Sequence, residues 1–568
     1  MFCLAENNKI IKKNRTRSHK TRSRSRPIDY KFKLPIEPNS WPEGNGFGDR
    51  SIIDLGDLHL ELVTTFSKVW GVYEGGPDDQ GASVYEPTGM SYGFSVLGSY
   101  SQPNNKPLFG YFLAAKDITL GTTKTPTLKP PVDYTLVADT SSISGNQDST
   151  LYIWLPTPPD GYKAVGQVVT ITPDKPSTEK VMCVLANLTE QCETASWIWG
   201  SNDLNFYDVR PSNRGPQAPG VRIGSFVAQS GGNTNPPSIS CLKNLKSLTQ
   251  IMPNEKQIEA VLQAYSPILY LHPDEEYLPS SVNWFFSNGA LLYKKDDVSN
   301  PVPIAQNGTN LPQDPNTDGA YWIDLPADDA NKERVKHGNL ESAESYVHVK
   351  PVFGGTFTDF AMWVFYPYNG PGRAKVGFIN INLGKIGEHV GDWEHVTLRV
   401  CNFDGQLYQV YFSQHSKGQW LDSSQLEFQN DGSNDFDFPT RRPAVYASLH
   451  GHAHYPHAGL NLLGKGEVGA RDDTDKGNNV MDMGKFVLVS ADYLGSQVNE
   501  PAWLNFFREW GPHIDYDLND ELKDVEKFLP GKLKDVFENI VRSLPKEMLG
   551  EEGPTGPKEK GSWNGDEI

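Results

Sequence analysis

His395-Val-Thr-Leu-Arg-Val400 and Gln406-Leu-Tyr-Gln-Val-Tyr-Phe412 stand on either side of a turn containing Asp404-Gly405. Both runs are rich in β-branched and aromatic residues, and Asp-Gly between two such runs is a strong hairpin signal. The hairpin is the centre of a second β-rich block, expected from Ser266 to about residue 510. Upstream, residues 30–235 are rich in Gly, Pro, Tyr, Val and Thr, with short strand-like runs between turns. That half repeats weakly, each unit reading strand, Pro-containing turn, strand, Gly. Trp70 leads to Ala82-Ser-Val-Tyr-Glu-Pro87, Leu151-Tyr-Ile-Trp-Leu-Pro156 leads to Gly161-Tyr162, and Trp197-Ile-Trp199 leads to Phe206-Tyr-Asp-Val-Arg-Pro211. Three copies of one small sheet predict a β-prism-like domain in which each sheet closes the core of the others.

Between the blocks, residues 236–265 are expected to be a linker and a short helix. Asn254 and Gln257 form a capping box ahead of Ile258, Val261, Leu262 and Tyr265 at helical spacing. After Gly511 the apolar period changes to that of a helix. Leu522, Val525 and Leu529 mark one face, and Val536, Phe537 and Ile540 another beyond Pro530-Gly531, so residues 511–549 are read as closing helices. Residues 550–568 are read as a disordered tail.

The chain has 568 residues, 37% hydrophobic and 21% charged. Its length implies two or three domains, and no run of apolar residues is long enough to span a bilayer. Residues 1–26 carry nine Lys or Arg against Glu6, a charge of +8; the remaining 43 basic and 69 acidic residues give −26. An acidic body argues against nucleic-acid binding. The basic stretch, 1–29, is expected to be a disordered tail without the apolar core of a secretory signal; organellar targeting or contact with anionic lipid are alternatives. Five cysteines with no CxxC spacing predict neither a disulfide framework nor a zinc site, and a cytoplasmic location, peripheral on endomembranes, is the expectation.

One segment concentrates chemistry: Gly387-Glu-His389-Val-Gly391-Asp392-Trp-Glu394-His395. Strand alternation puts Asp392 and Glu394 on one face, and a bulge at Gly391 would swing His389 to join them. Two carboxylates beside an imidazole repel unless a cation or strong donors sit between them, and an oxygen-rich set favours Mg²⁺ or Ca²⁺. His415 ends the return strand, and His450, His452 and His454 would share a face if extended. The alternative is structural: the acids accept backbone N–H bonds or pair with Arg399, Arg441 or Arg442. His272-Pro-Asp-Glu-Glu276 is read as a solvated acidic turn.

Tyr265-Ser-Pro-Ile-Leu-Tyr-Leu-His-Pro-Asp-Glu-Glu-Tyr-Leu-Pro-Ser-Ser-Val-Asn-Trp284, the segment from His389 to His395, Tyr411-Phe-Ser-Gln-His415 and Gly550-Glu-Glu-Gly-Pro-Thr-Gly-Pro557 resemble the plant branch of the vacuolar protein sorting-associated sixty-two family. The resemblance covers roughly residues 30–568 and implies a trafficking association without specifying a reaction. In its order of motifs, Phe365-Tyr-Pro-Tyr-Asn369, Gly387 to Glu394 and Ser413-Gln-His415, the second half is also similar to necrosis- and ethylene-inducing-peptide-like proteins. Those are β-sandwich toxins that bind a divalent cation and sphingolipid headgroups. That likeness implies metal ligands at His389, Asp392 and Glu394, with Asn369 where the toxins carry an Asp. Glu388 and Gly391 depart from the toxin motif.

The expected fold is therefore mainly β, a β-prism-like domain and a β-sandwich domain closed by C-terminal helices. Three functions follow as alternatives. The first is a non-enzymatic binding protein, its cation site receiving a lipid headgroup or glycan and its partners being membrane lipids or trafficking proteins. The second is a metal-dependent hydrolase with His415 or His450 as base and His452 nearby. The third is a structural trafficking scaffold. No GxSxG, HExxH or P-loop is present, which places binding first.

Overall fold

The protein is described from a computed structural model. Described are residues 28, 30–36, 40–47, 52–143, 145–201, 203–231, 236–313, 319–376, 379–415, 417–429, 442–465, 468–514, 520–523, 527, 531–542, 546, 549–550, 552–565 and 567. Apart from Ile28, the basic stretch 1–29 falls outside them.

The chain is mainly β. Its first half divides at the expected repeats, but not into one sheet each. Strands between Ile52 and Asp117 make two three-stranded sheets, strands between Leu128 and Leu185 make two more, and Thr189–Lys243 keeps five strands together. Trp70 and Val84 from the first unit, Leu151 and Ile153 from the second, and Trp199 and Phe206 from the third meet in one buried cluster. Trp199 anchors it, edge-on to Trp70 at 6.0 Å and to Phe206 at 5.1 Å. The expected linker is corrected at its start: Ser240–Lys243 is a strand paired with Thr189–Gln191 and with Gly220–Val221. Cys241 and Leu242 are apolar enough to be buried there, which a solvated linker would not allow.

The helix Glu255–Tyr265 forms as read, with both hydrogen bonds of the Asn254–Gln257 capping box present. Its apolar face enters the core of the second half.

That core lies between two sheets. The larger has six strands in the order Lys417–Asp422, Leu407–Gln414, His389–Cys401, Phe357–Asn369, Ser345–Val352, Phe486–Ser490. The smaller comprises His454–Tyr455, Ala444–Ala447, Ile268–Tyr270 and Val480–Asp482. The hairpin around Asp404-Gly405 is formed, with Val396 opposite Phe412 and Val400 opposite Leu407. Gly405 has φ 73° and Asp404 accepts from Gln406 N–H at 3.0 Å, so each turn residue does what its chemistry suits. The far face of the six-stranded sheet is covered too, by an aromatic layer that includes Trp363, Phe365, Trp393, Trp503 and Trp510. Every residue of His389–Cys401 is consequently buried. The halves share a core as well, since Phe357, Phe403 and Tyr408 pack with Leu58, Leu60 and Phe112.

After residue 511 the structure shows a helix at Gly531–Val541, whose Phe537 and Val541 pack with Leu522 on Ala374, Ile381 and Ile386. Of the other expected helix, residues 520–523 are helical, whereas Val525 and Leu529 lie outside the described residues. The tail expected to be disordered from residue 550 is instead placed against the sheet: Pro554, Pro557, Trp563 and Glu567 are buried. The reason is a buried charge. Lys350 sits in the strand Ser345–Val352 at 1% side-chain exposure, and Glu567 supplies its carboxylate. Among the described residues no helix is long and apolar enough to cross a membrane.

Candidate functional site

Asp392 and Glu394 enter from the centre of the six-stranded sheet, where Tyr366 lies opposite Asp392 and Val364 opposite Glu394. The register through Val390 and His389 shows no slip, so the expected bulge is absent. A change of face occurs nonetheless. Gly391 takes φ 67°, and Val390 packs in the same layer as Trp393 although the two are three residues apart. His389 is thereby left on the Asp392 side, close enough for its charge to act on that carboxylate. Glycine is required at 391: a Cβ there would lie 2.5 Å from the Trp510 carbonyl oxygen.

The histidines arrive from a turn rather than an extended strand, which corrects the expected shared face of His450, His452 and His454. His450 and His452 have φ 70° and 52°, and His452 N–H returns to Ser448 O at 3.1 Å. The turn is held by Glu275, which accepts from His450 N–H at 2.6 Å and Tyr277 N–H at 2.9 Å. Glu275 is therefore a buried brace, not part of a solvated loop. His452 then bridges two acceptors, Asp392 Oδ2 from Nδ1 and Tyr277 O from Nε2, both at 3.0 Å, while its ring stacks on Tyr366 at 3.8 Å. Two acceptors on one imidazole require both nitrogens to carry protons. Burial opposes that charge, but Asp392 and Glu275 outweigh it and raise the pKa of His452. Asp392 is lowered correspondingly: burial is overcome by His452 and His389.

Glu394 behaves differently. Burial and the neighbouring Asp392 charge push its carboxyl up, and the Ser413 hydroxyl is its donor. His415 does not bind Asp392 or Glu394; its Nε2 meets Asp472 Oδ2 at 2.8 Å, and Tyr455 O–H donates to the same oxygen at 2.6 Å. Against burial, Asp472 brings His415 up to about 9. The ring of His450 stands edge-on to Tyr277 at 5.6 Å, and burial lowers its pKa. Asn369 spends its amide N–H₂ on Gly387 O at 2.7 Å and Gly370 O at 3.1 Å. Of the arginines weighed as partners, Arg399 is bidentate to Asp359 at 2.9 and 2.8 Å, Arg442 pairs with Asp482, and Arg441 lies outside the described residues.

The repulsion expected between two buried carboxylates is thus relieved by protonated histidine, and Glu394 shifts toward its neutral form. Among the described residues no group of three or more His, Cys, Asp or Glu side chains is arranged to hold a metal ion. The set His389, Asp392 and Glu394 does not fit a resident divalent cation in this arrangement, because His452 occupies Asp392 and Ser413 occupies Glu394. Sequence reasoning missed Glu275, Ser413, Tyr455, Asp472 and Glu567. Glu275 lay within the quoted His272–Glu276 segment but was read as a solvated turn, Ser413 lay within the quoted Ser413-Gln-His415, and Tyr455 follows His454; no signal pointed to Asp472 or Glu567.

Next to Glu394 lies a cavity of about 730 Å³. The sheet contributes Trp363, Trp393, His395, Tyr411 and Ser413 to its wall, and the segment from Glu559 to Glu567 forms much of the opposite side. Neither His415 nor His450 lines it.

The family profile for vacuolar protein sorting-associated protein 62 matches residues 28–567. Two relatives from Saccharomyces cerevisiae are similar over part of the chain. A putative vacuolar protein sorting-associated protein, TDA6, is 25% identical over 237 residues, 36% of this chain and 47% of its own. Vacuolar protein sorting-associated protein 62 is 24% identical over 219 residues, 34% of this chain and 44% of its own. The match thus spans less than half the length of these relatives. Among solved structures, GNIP1Aa from Chromobacterium piscinae is 20% identical, covering 37% of this chain and 40% of its own at a TM-score of 0.27. NLPPya in complex with glucosamine is 13% identical, covering 50% and 92% at a TM-score of 0.23. Scores this low carry no argument about a shared site. The profile match runs over nearly the whole chain, and by it the chain belongs to the vacuolar protein sorting-associated protein 62 family.

Proposed function

We propose that this family member is a non-enzymatic binding protein of vacuolar or endosomal trafficking, acting from the cytoplasmic side of endomembranes. In this reading the cavity beside Glu394 receives a polyhydroxylated group, of a lipid headgroup or a glycan. The observation that carries it is the cavity wall: the aromatic residues Trp363, Trp393 and Tyr411 stand among many polar and charged residues, including Arg214, Glu394, His395, Ser413, Lys417 and Lys560. Aromatic residues beside hydrogen-bonding and charged groups of both signs suit a small, strongly polar ligand. Burial and the neighbouring Asp392 charge push the Glu394 carboxyl up, and Ser413 O–H donates to it.

Hydrolysis is the weaker alternative. Its two candidate bases, His415 and His450, are outside the cavity wall, and His415 is committed to Asp472. A scaffold role would leave the cavity without an occupant. The test is a titration of purified full-length protein with inositol phosphates, phosphocholine and a panel of monosaccharides, followed by tryptophan fluorescence, with and without Mg²⁺ or Ca²⁺. Saturable change with at least one probe, weakened in Ser413→Ala and Glu394→Gln, supports binding at this site. If no probe saturates, or the variants respond like the parent, the proposal fails. Chemical turnover of a bound probe would move the assignment to the hydrolase.

A further inference from the structure

The segment that closes the cavity is held to the sheet by a buried carboxylate and an indole. Glu567 has 0% side-chain exposure. One carboxylate oxygen accepts from Thr397 Oγ1 at 2.8 Å and lies 3.8 Å from Lys350 Nζ; the other lies 3.3 Å from His395 Nε2. Trp420 Nε1 reaches the Glu567 carbonyl at 3.5 Å. Burial opposes ionisation here, yet His395, Lys350 and the Thr397 hydroxyl together bring the carboxyl down to about 2. Four residues earlier, Trp563 stacks on His348 at 4.0 Å and 18° and lies 6.2 Å from Trp363. Between these anchors, Lys350 Nζ donates to Gly565 O at 3.1 Å and to Ser562 O.

Side chains from four strands of one sheet therefore form a groove with an aromatic slot at one end and an anion pocket at the other. The strands are Ser345–Val352, Phe357–Asn369, His389–Cys401 and Lys417–Asp422. The preceding residues are tied elsewhere: Glu559 pairs with Arg508, Lys558 with Glu500, and Gly556 N–H bonds Phe507 O at 2.7 Å. Recognition by the groove thus falls, among the described residues, to 560–565 and 567. The anchoring contacts are addressed to an indole, a carboxylate four positions later and the carbonyls between them, while Lys560 acts on the Asp392 and Glu394 carboxylates.

We infer that this groove is a peptide-recognition site for a segment carrying Trp and, four residues on, Glu, and that residues 560–565 and 567 occupy it as an internal ligand. The groove shares Trp363 and His395 with the cavity wall, but its anion pocket also uses Lys350 and Thr397, which do not line the cavity. A peptide of the same chemistry presented in trans competes with the internal segment for the same contacts.

The probe is a fluorescein-labelled peptide with the sequence of residues 560–568, and the readout is fluorescence anisotropy. Protein ending at Glu559 should bind it saturably, and the full chain at least about tenfold more weakly, because a charge-assisted contact is lost or gained whole. A peptide with Gln in place of the residue corresponding to Glu567 should bind the truncated protein about tenfold more weakly. Circular dichroism establishes that the truncated protein is folded. If it is not, the full-length double variant Trp563→Ala, Glu567→Gln takes its place, and it too should admit the peptide. No saturable binding by whichever folded protein has its groove vacated overturns the inference, as does equal binding of the Glu and Gln peptides.

Discussion

Replacing Asp472 by Asn tests the electrostatic account of the site. In the native protein His415 Nε2 lies 2.8 Å from Asp472 Oδ2, and both side chains are nearly inaccessible to water, at 13% and 9% exposure. The pKa of His415 is raised from 6.5 to about 9 against the cost of burial. The difference, about 2.5 units at 1.36 kcal/mol each, is about 3 kcal/mol of folding stability, as an order of magnitude. Its sign is fixed by linkage. Between pH 6.5 and 9 the folded state holds a proton that the unfolded state has released. The contribution is therefore fully present below pH 6.5 and is lost as the pH rises through about 9. Asn keeps the shape and an acceptor oxygen but removes the charge that favours imidazolium. Asp472→Asn should accordingly be less stable than the parent by about 3 kcal/mol at pH 6 and nearly equal to it at pH 10. Urea unfolding at both pH values gives the two differences, and groups common to both proteins cancel in the subtraction. A destabilisation of the same size at both pH values would refute the reasoning, leaving only loss of packing or of the Tyr455 hydrogen bond.

Asp392→Ala should destabilise the fold by about 3–5 kcal/mol, because it strands the buried imidazolium of His452, whereas Glu394→Gln should cost less than about 1 kcal/mol, its carboxyl being already displaced toward neutrality. Equal urea midpoints for the two variants would contradict that division of roles. Gly391→Ala should lower stability by at least about 2 kcal/mol, since it combines φ 67° with a Cβ 2.5 Å from the Trp510 carbonyl oxygen; thermal unfolding at neutral pH measures it. Millimolar Mg²⁺ or Ca²⁺ should leave the melting temperature of the apo protein unchanged near neutral pH, because protonated His452 already neutralises Asp392; a rise that disappears in Asp392→Asn would reinstate the cation expected from the toxin-like motif.

In the described structure the partner of Asp392 is His452, which burial and the neighbouring acids leave with a raised pKa. Two acids and an imidazole within one strand present the same residue types whether a cation or a histidine is their partner. The outcome depends on whether further histidines with their own acceptors can reach the carboxylates. Here the turn at Ser448–Ala453 delivers His452 between Asp392 and Tyr277 O. That turn is possible because two non-glycine residues, His450 and His452, accept positive φ, which Glu275 and the local hydrogen bonds stabilise.

Local chemistry was enough to specify several elements without the fold. The Asp404-Gly405 hairpin, the Asn254–Gln257 capping box and the buried face Ile258, Val261, Leu262 and Tyr265 each depend on residues within a few positions of one another. The aromatic positions of the three repeats likewise marked strands that meet in one cluster. Charge and composition excluded a membrane-spanning run and argued against nucleic acid by themselves. What pairs with what was not local. Ser240–Lys243 is a strand only because Thr189–Gln191 offers it an edge, and Gly391 changes the face of His389 without the slip that alternation would demand. Glu275 finds His450 across 175 residues, and Glu567 finds His395 across 172. A charged tail of Gly, Lys and Glu carries no sign that a buried lysine elsewhere needs its carboxylate. Burial creates that demand, and burial exists only once the sheet has assembled.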